Sequence, residues 1–349
     1  MGLLLILLVL LALTTPTLQA QFKHWSIHNR ALLNRMLTEA KKTGSEYAVF
    51  DADNTIWNND LEESLLPFLE NRGILVRDQI DPSLKLIPFK GDESLFAYYY
   101  RLCEIDHNIC YPWIAQVFSG FTLKELAGYV HELFKFKGDV PVQYWKGDKM
   151  VKSTVHTPVI YEAQRELFSE LKKGGIKVFI VTAALEELVR VVATDPQYGL
   201  NIPPENIIGV SLLLRNEKKQ TITTARRQIA LGHFFDNEYT KEEHYDSVLT
   251  PYLWAPGTWY IGKRAAIKQY IEPVKEPILV AGDSKNDQWM LMYSKGYRIW
   301  VDRKESHTAS TNALRQSRYH EEWRQHGAKA AHRVWYHWLF ATPQELAGK

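Results

Sequence analysis

Tyr47-Ala48-Val49-Phe50-Asp51-Ala52-Asp53-Asn54-Thr55 runs from four apolar residues straight into two carboxylates. A short all-apolar run reads as a strand buried on both faces, as in a parallel sheet. The carboxylates then stand just past its end, where ligands of open α/β sheets bind. Two further runs end the same way. Val178-Phe179-Ile180-Val181 meets Thr182, and Pro277-Ile278-Leu279-Val280-Ala281 meets Gly282-Asp283. Residues 207–214 are strand-like, with a hairpin turn at 216–220, and Arg298-Ile299-Trp300-Val301 reads as a last strand. Helical periodicity recurs between these runs, at residues 25–42, 161–173 and 186–193. The pattern predicts an α/β fold, a parallel sheet with helices on both faces. Residues 58–149 are mostly helical in pattern and offer the sheet nothing obvious. They are expected to form a helical cap, between core segments 21–57 and 150–349.

Composition narrows the function classes. The chain has 349 residues, 46% hydrophobic and 23% charged, which excludes a wholly disordered, collagenous or coiled-coil protein. With 42 Lys plus Arg against 40 Asp plus Glu, the net charge of +2 gives no reason to expect a nucleic-acid partner. The 11 Trp, 18 Tyr and 14 Phe mean either a rich core or a pocket with an aromatic wall. The 12 His residues form no zinc pattern. Residues 1–20 read as a signal peptide, an apolar run ending at small Ala20, although no Lys or Arg precedes it. No other stretch is apolar and long enough to span a membrane. Export to the periplasm or beyond is therefore expected.

An oxidising compartment gives the two cysteines, Cys103 and Cys110, a reason to pair. Residues seven apart on an unbroken helix are about 10.5 Å apart along the axis. A disulfide needs Cα atoms within about 7 Å. A bridge therefore requires a break, for which Asp106-His107-Asn108 is a suitable turn. Two buried free thiols are the alternative.

Four pieces carry chemistry. In Asp51-Ala52-Asp53, one carboxylate suits nucleophilic attack on phosphorus and the other suits general acid and base work. A solvated acidic turn is the competing reading. Thr182 could donate to a phosphoryl oxygen, and Lys263 could offset its charge. Asp283, in Gly282-Asp283-Ser284-Lys285-Asn286-Asp287, could complete a Mg²⁺ site with oxygen ligands, and Asp287 could orient waters or Lys263. Each piece alone has a structural explanation. Gly257-Thr258-Trp259-Tyr260-Ile261-Gly262-Lys263 imitates a phosphate-binding P-loop. Arg264 stands where such a loop needs Ser or Thr, and two bulky aromatics crowd it, so that reading is rejected. Closer to the expected cap, Glu62, Glu63, Tyr98, Tyr99 and Tyr100 suggest a cationic substrate head, held by aromatic faces and carboxylates. Consecutive helical residues point about 100° apart, so one or two tyrosines at most can line a pocket.

Taken in order, the four pieces resemble the haloacid dehalogenase superfamily of phosphohydrolases, with its hhhhDxDxT, hhh[ST], Lys and GDxxxD motifs. The resemblance covers essentially the whole chain after residue 20. It implies catalytic Asp51, Asp53, Thr182 and Lys263, with Mg²⁺ (or another divalent cation) on Asp51, Asp53 and Asp283. Asn54, Thr55, Ser284, Asn286 and Asp287 are implied in support. Residues 60–69, 81–90 and 93–121 further resemble the exported bacterial phosphorylcholine phosphatases. That resemblance implies choline contacts at Glu62, Glu63, Tyr98, Tyr99 and Tyr100. Thr182 stands where that pattern has Ser, Ala52 where it has Met, and the Gly282 loop is one residue shorter.

The expected activity is Mg²⁺-dependent hydrolysis of phosphorylcholine through an aspartyl-phosphate. The alternatives are phosphoethanolamine or glycerol phosphate as substrate, transfer to an alcohol, or an exported binding protein for choline-like cations. The basic segment 303–332 reads as a solvated helical surface, with a membrane-surface contact as the alternative.

Overall fold

The computed structural model describes residues 22–232, 247–335 and 337–348. The expected signal peptide, residues 1–20, lies outside them. A 6-stranded sheet is built from β1 (Tyr47–Phe50), β2 (Lys177–Leu185), β3 (Ile207–Val210), β4 (Leu279–Gly282), β5 (Tyr297–Val301) and β6 (Trp338–Ala341). Its order is β6-β5-β4-β1-β2-β3, and every pairing is parallel. The chain runs outward from β1 to one edge, then crosses back to β4 on β1's other side. Strand order reverses there, so the carboxyl ends of β1 and β4 flank a crevice.

Alternating side chains explain why the strands read as continuous apolar runs. Ala48, Phe50, Val178, Ile180, Leu279 and Ala281 enter one core, together with Leu33 and Met36 of the helix Ile27–Thr43 and Leu167 of the helix Glu162–Lys173. Val49, Val181, Val280 and Trp300 enter a second core, with Ala266, Met290 and Leu291. Both faces are thus covered. Burial of one such side chain contributes about 1.5–3 kcal/mol. A one-residue slip of β1 would move Asp51 by about 3.3 Å and exchange the two sets.

Several elements differ from the expectation. β2 does not stop before Thr182. It pairs Val181 with Ile208, shifts register, and pairs Leu185 with Val210. Thr182 therefore sits in an irregular stretch, not at a strand end. Residues 207–214 divide at Ser211. β3 joins the central sheet, whereas Leu212–Asn216 joins Thr221–Thr223 and Ser247–Leu253 in a 3-stranded antiparallel sheet. The turn expected at 216–220 links the first two. β5 is not the last strand, since β6 pairs outside it.

The segment between β1 and β2 carries helices Leu61–Glu70, Leu95–Ile105, His107–Gln116 and Leu123–Phe136. It also carries a hairpin, Asp139–Lys146 against Lys149–His156, which crosses position 149. The hairpin signal was present in Val140, Val142 and the Gly147-Asp148 turn. The helix break needed for a disulfide is real. Asp106 ends one helix with extended φ −166° and ψ 133°, and its side chain caps the next at the Asn108 N–H. Cys103 and Cys110 are bridged, with Cα atoms 5.0 Å apart. No helix among the described residues is long and apolar enough to cross a membrane.

A buried ionic cluster anchors the far side of the Thr182 stretch. Arg190 is fully buried and bonds both Glu186 and Glu187. The other Glu186 oxygen accepts from the Gly209 N–H at 3.0 Å and the Ser211 hydroxyl at 3.1 Å. Burial opposes the Glu186 charge, but Arg190 and Arg226 outweigh it and hold the carboxyl below its usual range. Breaking a buried ion pair leaves an uncompensated charge and costs about 3–5 kcal/mol. Arg190→Met should therefore lower the thermal unfolding midpoint markedly, and an unchanged midpoint would refute this role for the cluster.

Candidate active site

Asp51 and Asp283 follow the carboxyl ends of β1 and β4, and Asp287 comes from the next turn. Single oxygens of these three carboxylates lie within 4.8 Å of one another, all buried. Lys263, 1% exposed, reaches between them from the helix Ile261–Ala266. Its Nζ donates to Asp51 at 2.5 Å and to Asp287 at 2.6 Å. Burial works against the lysine's charge, yet Asp287 and Asp51 outweigh it and raise its pKa. Asp287 also accepts from the backbone N–H groups of Asp283 and Ser284, each at 3.0 Å. Gly282 makes this possible, because a Cβ there would lie 2.5 Å from that of Asp287. Burial, and then the charge of Asp287, pushes Asp51 well above the usual carboxylate range, against the pull of Lys263.

Asp53 is differently placed. One of its oxygens accepts from the Trp57 indole at 2.7 Å and from the Leu61 N–H at 2.8 Å. Burial and the neighbouring charge of Asp60 raise its pKa well above normal. Such a carboxyl keeps a proton at a pH where an exposed one would lose it. Asn54, next in the chain, turns through the left-handed region at φ 60° and accepts from the Asn59 N–H. The Thr55 hydroxyl faces Asp283 at 3.5 Å. Ser284 accepts from the Asn286 N–H, and the Asn286 side chain accepts from the Tyr260 N–H at 2.6 Å.

Asp51, Asp53, Thr182, Lys263 and Asp283 all line one cavity of about 400 Å³. Glu62, Glu63, Tyr99 and Tyr100 line it too. Glu62 accepts from the Leu185 N–H at 2.9 Å, which ties its helix to the end of β2. Burial and Asp60 raise the pKa of Glu62 well above normal. The same two causes, in that order, push Glu63 up to about 7, against the Tyr99 hydroxyl at 3.2 Å.

Tyr98 corrects the expectation. It is absent from this lining, and its hydroxyl bonds both backbone groups of Ile87 while its ring stacks on Phe89. The 100° step of the helix turns it away, as the spacing argument required of at least one tyrosine. Sequence reasoning missed Tyr111 and Arg303, which also line the cavity. Tyr111 follows Cys110 on the next helix and gave only a weak aromatic signal. Arg303 lay unremarked at the start of the basic segment, yet its guanidinium pairs with Asp283. Trp57, the partner of Asp53, had no signal beyond being an apolar residue four positions on.

The oxygen donors suit Mg²⁺, a hard cation. Asp51, Asp283 and Asp287 could all offer an oxygen to such an ion, and Asp287 is the one also held by two backbone N–H groups. Burial pushes Asp283 up to about 6 even though Arg303 pulls it down. A ligand bound only to the folded state stabilises it by about 2.7 kcal/mol at a hundredfold excess over Kd. Adding Mg²⁺ should raise the unfolding midpoint of the natural protein. In Asp283→Asn that shift should vanish, and its persistence would exclude Asp283 as a ligand.

No protein-family model matches the chain. The chain is 46% identical over 351 aligned residues to phosphorylcholine phosphatase of Pseudomonas aeruginosa, covering 97% of this chain and 98% of that protein. A conserved protein of unknown function from Anaerococcus prevotii shares the fold, with TM-score 0.56, 16% identity, and 85% of this chain and 90% of that one covered. A haloacid dehalogenase family hydrolase from Salmonella enterica is a looser likeness, with TM-score 0.42, 12% identity and 75% and 64% covered. On identity and coverage together, the chain belongs to the phosphorylcholine phosphatase family and is a phosphoric monoester hydrolase with the α/β fold its motifs predicted.

Proposed function

We propose that this enzyme hydrolyses phosphorylcholine to choline and phosphate. One observation carries the proposal. A single cavity holds Asp51, Asp53 and Lys263 together with two glutamates and the tyrosine rings. The first group suits a phosphoryl centre. The second suits a quaternary ammonium, which offers no N–H to donate and is attracted by ring faces and negative charge. The likeness to the Pseudomonas enzyme supports the same substrate.

The chain's own residues supply the following chemistry. An Asp51 oxygen bonds to phosphorus as the phosphorus–choline oxygen bond breaks. Lys263 holds Asp51 in place and offsets the negative charge on the transferring group. Thr182 donates to a phosphoryl oxygen. Asp53, protonated through its burial, passes its proton to the departing choline oxygen. It then takes a proton from water as that water bonds to phosphorus and the Asp51 oxygen leaves. Mg²⁺ held by Asp51, Asp283 and the Asp53 backbone carbonyl would neutralise further phosphoryl charge. Trp57 and the Leu61 N–H fix one Asp53 oxygen and leave the other to exchange the proton.

The segment inserted between β1 and β2 acts in this reading as a cap that brings the choline-binding side chains. Its return to the core lies after the hairpin, near residue 157, rather than at 149. Export fits the Cys103–Cys110 bridge, which an oxidising compartment allows.

Phosphate release from phosphorylcholine, phosphoethanolamine and p-nitrophenyl phosphate, with Mg²⁺, tests the proposal. Phosphorylcholine should be preferred, and Asp51→Asn should abolish release from all three. Equal turnover of all three would remove choline as the selected group.

The pH dependence tests the cation end separately. Glu63 faces Asp60, Tyr99, Arg303 and Lys304, and burial, then Asp60, pushes its pKa up to about 7. Below that pH it is neutral, so the KM for phosphorylcholine should rise as pH falls through 7. p-Nitrophenyl phosphate controls for titration of the ester itself. Glu63→Gln should raise the KM for phosphorylcholine about 10-fold and flatten the difference between the two profiles. Parallel profiles in the natural enzyme would count against Glu63.

A further inference from the structure

The sequence that imitates a P-loop has a use of its own. Gly257-Thr258-Trp259-Tyr260-Ile261-Gly262 folds tightly on itself, since a Cβ on Gly262 would lie 1.9 Å from the Gly257 carbonyl oxygen. Tyr260 is held at φ 50° and ψ −125°, a conformation costly for a residue with a side chain. Strain of this kind persists only where surrounding contacts enforce it.

Those contacts cross to the inserted segment. The Tyr260 hydroxyl lies 2.6 Å from His107 Nδ1, and the Trp259 indole donates to the Asn108 side chain at 2.8 Å. His107 and Asn108 open the helix that the Cys103–Cys110 bridge ties to its predecessor. Tyr111, on the same helix, stacks on His107 at 5.2 Å and meets the rings of Trp259 and Tyr260 at 6.2 and 6.3 Å. Tyr111 also lines the cavity, where Tyr99 and Tyr100 form the rest of the aromatic wall. At its other end the loop starts the helix of Lys263, and the Tyr260 N–H is tied to Asn286.

We propose that Trp259 and Tyr260 form a clasp on the His107-Asn108 corner, positioning Tyr111 at the cation end of the cavity in register with Lys263 at the phosphoryl end. Tyr260 and His107 are positioning residues. They reach the substrate only through Tyr111 and through the loop that carries Lys263. The clasp selects for the choline head, and in that respect it rests on the function proposed above.

Tyr260→Phe removes the hydroxyl and keeps the ring. His107→Phe keeps a ring to stack on Tyr111. Each should raise the KM for phosphorylcholine about 3-fold with little change in kcat, and should leave p-nitrophenyl phosphate nearly unaffected. The double variant should be no worse than Tyr260→Phe alone, because loss of the Tyr260 hydroxyl already removes the bond that His107→Phe breaks. Amide exchange should quicken in residues 106–111 in both single variants. Equal losses on the two esters, additive losses, or unchanged exchange would each overturn the clasp. A natural enzyme with no preference for phosphorylcholine would overturn the choline reading and the selective role of the clasp. The exchange result would still decide whether loop and corner are coupled, so the two failures read apart.

Discussion

Three carboxylates buried at one point repel one another, and this enzyme resolves the conflict with a buried lysine. Asp51, Asp283 and Asp287 meet within 4.8 Å. At such distances, away from water, like charges cost several kcal/mol unless countered. Lys263 spans Asp51 and Asp287, Arg303 covers Asp283, and backbone N–H groups take the remaining Asp287 oxygen. The arrangement needs β1, β4, the helix of Lys263 and the turn after β5 all in place at once. The parallel sheet can therefore be read as the device that brings four distant chain segments to one charge centre.

The environments of the two acids in Asp51-Ala52-Asp53 diverge because their partners differ. Asp51 faces an ammonium, whereas Asp53 faces an indole N–H, an amide N–H and the like charge of Asp60. Burial pushes both carboxyls up, but only Asp51 has an ammonium pulling against that shift. Residues two apart in sequence differ in this way through contacts from 4, 8 and 212 positions away.

The inserted segment meets the core at named points. Glu62 accepts from Leu185 beside Thr182, and Asn59 donates to the Thr157 carbonyl where the chain returns. Trp259 and Tyr260 hold the disulfide-bridged corner. These contacts tie the inserted segment to the strand that carries Thr182 and to the loop that leads into the helix of Lys263.

What the sequence determined by itself was local. Continuous apolar runs ending in Asp51 and Asp283 announced a sheet covered on both faces, because only burial on both sides removes the alternation of a half-exposed strand. Motif spacing likewise named Lys263 and Asp287, and the rise per residue of a helix required the break at Asp106 that the bridge uses. The tertiary structure alone decided which tyrosines face the cavity, that Trp57 holds Asp53, that Arg303 covers Asp283, and that the loop at 257–262 grips the His107 corner. These depend on the rotation of each element about its axis and on partners up to 153 residues away. A linear pattern carries the period of a side chain's direction but not the neighbour it meets.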